Sequence, residues 1–221
     1  MANMVGIVGK SGTGKSSSLL PNQDIPIKGL NPKETVIINC FGQSLPGPSW
    51  KKLYNAEKKN YVVTSSPTEI VKVMDMINIK RPEIKNIVID DYQYTMAQEF
   101  FSRAQEKSYD KFTDIGQGAY QILTKYRELR EDLTIFVLTH SDENQEIKTI
   151  GKMVNEKLTP AGLFTVVLYT DVKIKGKVPE YRFVTNNDGT YPAKSPYGMF
   201  PDLYISNDLS QIVTQIKNYE N

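Results

Sequence analysis

The run Gly9-Lys10-Ser11-Gly12-Thr13-Gly14-Lys15-Ser16 matches the pattern G-x-x-x-x-G-K-S/T at every fixed position. Its glycines free the backbone to curl round an anion with N–H groups turned inward, and a helix starting beside Lys15 adds its partial positive charge at the same spot. Lys15 is then the cation for the β- and γ-phosphates of a nucleotide, the Ser16 hydroxyl a ligand for Mg²⁺, and Ser17 a donor to the α-phosphate. Lys10, Ser11 and Thr13 fill the variable wall of the loop.

A second set of candidates is acidic. Asn86-Ile87-Val88-Ile89-Asp90-Asp91 is an apolar run ending in two carboxylates. Asp90, at the end of a strand, suits the water shell of the magnesium. Asp91 reads two ways: as the general base that orients and deprotonates an attacking water, or as the cap of the next helix. Leu133-Thr134-Ile135-Phe136-Val137-Leu138-Thr139-His140 is another buried strand with a polar end, and His140 there is either a sensor of the γ-phosphate or a hydrogen-bonded strand end. The chain has one cysteine, Cys40, and one histidine. A buried thiol is the simpler account of Cys40 than a nucleophile paired with His140.

The elements that must position these groups alternate. Val5-Gly6-Ile7-Val8 is a buried strand feeding the loop, and Pro21 limits the helix behind it to Lys15–Leu20. Thr35-Val36-Ile37-Ile38-Asn39 is a second strand, followed by the breakers Gly42, Pro46, Gly47 and Pro48, and Tyr61-Val62-Val63-Thr64 is a weaker third. Helices are expected over residues 67–79, capped by Ser66 or Thr68, then over 94–107, 114–132 and 209–219. Residues 141–160 are polar and aperiodic, a candidate mobile loop. Strands resume at 163–174 and 181–185 around a Lys175-Gly176-Lys177 turn. This order predicts an α/β fold with a mostly parallel sheet flanked by helices and an antiparallel C-terminal β-hairpin.

Composition bounds the rest. At 221 residues, a single domain over 1–221 is expected. Charged residues at 24% and the lack of a long apolar run argue for a soluble protein with no membrane partner, and Met1–Val5 shows no signal-peptide pattern. A lone cysteine and no internal disulfide suit the cytoplasm. The net charge of +2 does not mark a nucleic-acid binder, although Lys51, Lys52, Lys58 and Lys59, and Lys173, Lys175, Lys177, Arg182 and Lys194, form two basic groups. Tyr191-Pro192 is a loose candidate for stacking on adenine.

The Walker pair, the helix cut short by Pro21 and the strand Phe136-Val137-Leu138-Thr139-His140 together resemble the compact P-loop ATPases of tailed bacteriophages, in the RecA-like or AAA branch. Similar chains open with G-K-S-G-x-G-K-S and soon reach a strand like residues 34–39, then a loop and a lysine-rich stretch like residues 45–54. The resemblance covers most of the chain, and the Walker motifs are its specific part. It implies a RecA-type core that hydrolyses ATP with Mg²⁺, self-assembly into a homo-oligomer, a host cytoplasm, and single-stranded DNA as the partner in recombination or annealing. Residues 141–160, with Lys148, Lys152 and Lys157, stand where RecA-type proteins carry a DNA-contacting loop, and Lys194 reads either as a finger offered to a neighbour's γ-phosphate or as an exposed lysine. One departure stands out. Where RecA-type enzymes carry the catalytic glutamate, this chain has Asn39-Cys40-Phe41, so Asp91 takes the task or hydrolysis is slow.

Two other classes compete. A nucleoside or nucleotide kinase would draw on Arg127 and Arg130 as a lid over the phosphates, although beside Glu128, Glu131 and Asp132 the pair reads more simply as a salt-bridged exposed face, and a regulatory binder would hold nucleotide without useful hydrolysis. A GTPase lacks its N-K-x-D motif, since Asn186-Asn187-Asp188-Gly189 is a turn signal.

Overall fold

The structure, a computed structural model, describes residues 1–22, 27–150 and 157–220. The strands among them are β1 (Asn3–Val8), β2 (Thr35–Asn39), β3 (Tyr61–Val63), β4 (Asn86–Asp90), β5 (Thr134–Thr139), β6 (Val166–Lys175), β7 (Val178–Val184) and β8 (Tyr204–Ser206). They form one sheet in the order β3-β2-β4-β5-β1-β6-β7-β8. From β3 to β6 every pairing is parallel, and β6, β7 and β8 pair antiparallel.

The inner strands are apolar throughout because both faces are covered. Met4 and Val8, Val36 and Ile38, Ile87 and Ile89, and Ile135 and Val137 turn to one layer, where Ile70, Met74 and Ile77 of α2 (Pro67–Lys80) and Ile115, Ala119 and Ile122 of α4 (Asp110–Thr124) bury them. Val5 and Ile7, Ile37, Val88, Phe136 and Leu138 turn to the other layer, against Leu19, Leu45, Tyr54 and the C-terminal helix (Leu209–Glu220) through Leu209, Ile212 and Ile216. The period-two alternation of each strand therefore feeds two cores.

Register fixes the working edge. Val8 pairs with Thr139 and Asn39 with Asp90, so the parallel strands end at one level, and Gly9, Asp91 and His140 leave the sheet side by side.

Several expected boundaries shift. The helix expected over 94–107 is α3 (Gln93–Ser102), and the one expected over 114–132 starts four residues earlier and yields to a 3-10 turn at Lys125–Glu128. The Ser66 hydroxyl caps α2, accepting from Glu69 N at 3.4 Å. A short α1 (Trp50–Leu53) and strand β8 had no legible pattern. The expected hairpin is longer, with β7 starting at Val178 after Gly176 in the left-handed region (φ 64°), and it belongs to a three-stranded antiparallel group. In the expected mobile loop, Ser141 and Ile147 bridge in a narrow turn in which the Asp142 carboxylate accepts from the N–H groups of Asn144 and Glu146. Residues 151–156, with Lys152, lie outside the described residues. No described helix is long and apolar enough to cross a membrane.

Arg130 and Arg127 lie at the far end of β5, away from Gly9. The Arg130 guanidinium donates to the carbonyls of Ile77 (2.8 Å), Asn78 (3.1 Å), Arg81 (3.1 Å) and Ile84, closing the C-terminal turn of α2, while Arg127 lies over the Tyr126 ring. Neither arginine faces the phosphate loop: Arg130 holds the end of α2, and Arg127 is exposed.

Candidate functional site

The loop after β1 is stitched to its neighbours before any ligand arrives. Gly9 N donates to Thr139 O (3.3 Å), Ser141 N donates to Gly9 O (3.3 Å), and the Thr13 hydroxyl donates to Lys10 O (2.7 Å) while touching Thr170 Oγ1 at 2.6 Å. Gly12 and Gly14 have φ of 78° and 95°, a region that side chains avoid. At Gly9 the constraint is space: a Cβ there would lie 1.9 Å from Thr170 Oγ1. Behind the loop, Ser16–Leu19 makes a single 3-10 turn, as short as Pro21 predicts.

Lys15 is buried, and its ammonium donates to Gly9 O (2.9 Å) and Lys10 O (2.8 Å). Burial lowers its pKa, and the nearby Asp91 and Asp90 charges oppose that shift. Two carbonyls are modest partners for a desolvated cation, so a phosphate offers it a stronger one. Ser16 Oγ donates to Asp90 Oδ1 at 2.9 Å, which joins the two predicted metal-side residues across 74 positions of sequence. Burial pushes the Asp90 carboxyl up to about 7, with Asp91 adding to the rise and the Ser16 hydrogen bond and Lys15 resisting it.

Asp91 lies in the left-handed region at φ 62°, a conformation aspartate tolerates better than most residues. Tyr92, not Asp91, stands at the N-cap of α3, and no side chain caps that helix. The Asp91 carboxylate reaches His140 Nε2 at 3.4 Å and does not cap α3. Gln93 fixes the other half of the pair: its Oε1 accepts from Thr139 Oγ1 and from His140 N, both at 3.3 Å. Lys15, Ser16, Ser17, Asp91 and His140 share a cleft of about 180 Å³, which Gln43 and Pro46 also line.

The expected glutamate position is structural. Asn39 Oδ1 accepts from Phe41 N (3.1 Å) and Gly42 N (2.6 Å), shaping the loop that carries Gln43. Cys40 is buried, and its thiol is pushed far up by desolvation with Asp90 and Asp91 adding to the effect. Lys194 is not brought to the chain's own loop: its backbone bridges Val167, which is level with Gly6 in mid-sheet. Tyr191 also falls elsewhere, packing on Tyr169 and donating to Asp171 Oδ1 (3.1 Å). Gln93, Thr170 and Gln43 carry no motif, and only their contacts reveal them.

The oxygen donors fit magnesium. Mg²⁺ takes hard ligands and commonly keeps water and phosphate on most positions, needing one carboxylate and one hydroxyl from the protein. Ser16 and Asp90, joined by their hydrogen bond, could supply such a pair.

No protein-family model matches the chain, and no curated protein matches it. Among solved structures it is similar to a KaiC-like protein of the hyperthermophilic archaeon Pyrococcus horikoshii, at 13% identity over 84% of this chain and 78% of that one, with a TM-score of 0.49. The architecture speaks for itself: the strand bearing the phosphate loop and the strand bearing Asp90 are separated by β5, and an antiparallel group extends the sheet beyond β6. The chain is an α/β protein with a phosphate-loop motif after its first strand, a mostly parallel sheet flanked by helices and an antiparallel C-terminal group.

Proposed function

We propose that the chain is a magnesium-dependent ATPase whose site is the cleft between the phosphate loop, Asp90, Asp91 and His140. The observation that carries this reading is the Ser16–Asp90 hydrogen bond of 2.9 Å, which brings a loop hydroxyl and a strand-end carboxylate together where a nucleotide-bound cation needs them. Magnesium, when bound, neutralises phosphate charge and polarises the γ-phosphoryl group. Lys15 exchanges its two carbonyl partners for phosphate oxygens. Asp91 accepts the proton of the attacking water as its oxygen bonds to the γ-phosphorus and the bond to ADP breaks. His140 holds the Asp91 carboxylate in place, and Gln93 holds His140 by its backbone.

The finer part of the reading is an oligomer acting on single-stranded DNA in recombination or replication. Its support is the motif resemblance, together with the exposed Lys173, Lys175 and Lys177 on the hairpin at the nucleotide edge. The test is ATP hydrolysis with and without single-stranded DNA, with sizing of the protein. Magnesium-dependent ADP release supports the first part. A DNA-stimulated rate from a larger assembly supports the second, and a monomer that is inert with ATP, magnesium and DNA contradicts both.

A further inference from the structure

The β6–β7 hairpin overhangs the phosphate loop. β6 pairs with β1 only from Val166 to Tyr169, then runs on to Lys175 with β7 as its partner. On one hairpin face the cross-strand pairs Thr170–Phe183, Val172–Tyr181 and Ile174–Pro179 stand in succession. Thr170 shows which way that face turns, because it touches Thr13 of the loop. Tyr181 comes next along it: a Cβ on Gly14 would lie 2.9 Å from the Tyr181 ring and 3.0 Å from Asn207 Nδ2.

Asn207 is the unexplained group. It is 1% exposed, and among the described residues neither Oδ1 nor Nδ2 has a hydrogen-bond partner. Native folds rarely leave a buried carboxamide wholly unpaired, because the desolvation is then uncompensated. The adjacent Asp208 has no such problem, since its carboxylate accepts from the N–H groups of Lys28, Gly29 and Ser210.

Sheet order gives the direction of the ligand. Asp91 and His140 follow β4 and β5 on one side of β1, whereas Tyr181 and Asn207 come with β7 and β8 on the other. A nucleotide with its γ-phosphate at Asp91 and His140 sends its nucleoside end toward the hairpin, where Tyr181 and Asn207 stand over Gly14.

We propose that Tyr181 and Asn207 form the nucleobase subsite, Tyr181 packing on the face of a purine and Asn207 reading its edge. A carboxamide both accepts and donates, which matches the amino group and ring nitrogen of adenine. The Tyr181 ring shares the space over Gly14 with Asn207; turning outward, it uncovers the amide and offers its own face to the base. This subsite rests on the phosphate-loop reading and adds the base to it.

The experiment is calorimetric titration of ATP, GTP and inorganic tripolyphosphate, each with Mg²⁺, into the parent, Tyr181→Ala and Asn207→Ala proteins. We expect each variant to bind ATP about tenfold more weakly, the scale of one lost hydrogen-bonded or packed group, while tripolyphosphate binding stays within about twofold of the parent. The parent prefers ATP to GTP, and Asn207→Ala narrows that gap. Variants that bind ATP like the parent overturn the subsite and leave the phosphate loop standing. A parent that binds neither ATP nor tripolyphosphate removes the loop reading, and the subsite with it. Should Asn207→Ala not fold, the half-exposed Tyr181→Ala decides.

Discussion

Asp91 and Asp90 are adjacent in sequence and differ in environment. Asp91 faces the cleft beside His140, so Asp91→Asn is expected to lower ATP turnover by about 10²–10⁴-fold, the usual worth of a general base, with ATP affinity unchanged. Single-turnover kinetics alongside equilibrium binding check this, and turnover that persists makes the residue a bystander. Asp90 is buried, and burial raises its carboxyl from the ordinary 3.8 to about 7. Between those values the folded protein holds a proton that the unfolded chain has released, so the Asp90 contribution to stability falls as pH rises through the window and levels off above it. Asp90→Asn removes that loss. Melting curves of the metal-free proteins should therefore show the variant gaining on the parent from about pH 4 to pH 7; a constant difference across that range counts against a raised Asp90.

At the scale of elements, the loop after β1 packs against its sheet neighbour β6, with Thr13 touching Thr170. Gly9→Ala drives a methyl group into the Thr170 hydroxyl, and this variant is expected to lose ATP binding, while adding Thr170→Ala restores part of it. Titration of the single and double variants checks the pair, since an unaltered Gly9→Ala protein would mean the loop is not packed this way. Arg130 closes the last turn of α2 far from the site. Its replacement by Ala should cost about 2–3 kcal/mol, or about 5–10 °C in Tm, with nucleotide affinity unaltered. Thermal melts with a binding control distinguish this from a lid, whose loss would weaken ATP binding first.

What was legible in the sequence follows the same division. The phosphate loop and the Asp90-Asp91 end of β4 are contiguous runs, so local pattern exposes them, and the proline after the loop limits the helix to one turn. Gln93 and Thr170 act through contacts 46 and 157 positions away, which no local pattern carries. β8 is three residues long, too short to show alternation, and α4 starts early because the Ser108 hydroxyl accepts from Asp110 N ahead of the first apolar turn.

For the whole molecule, one sheet sets the division of labour. Two apolar layers hold the parallel strands in register, and that register delivers the loop, the carboxylates and His140 to a common edge, with the antiparallel group on the opposite flank of β1. The central claim is that this edge binds a nucleotide triphosphate through Lys15. Its most direct measurement is the affinity of the Lys15→Ala protein for ATP with Mg²⁺, compared with the parent by calorimetry at one pH and ionic strength. A buried cation freed from two carbonyls to meet phosphate is worth about 3 kcal/mol as a charge-assisted hydrogen bond, so the variant should bind at least about 100-fold more weakly while melting near the parent. An equal Kd for the two proteins would contradict the account.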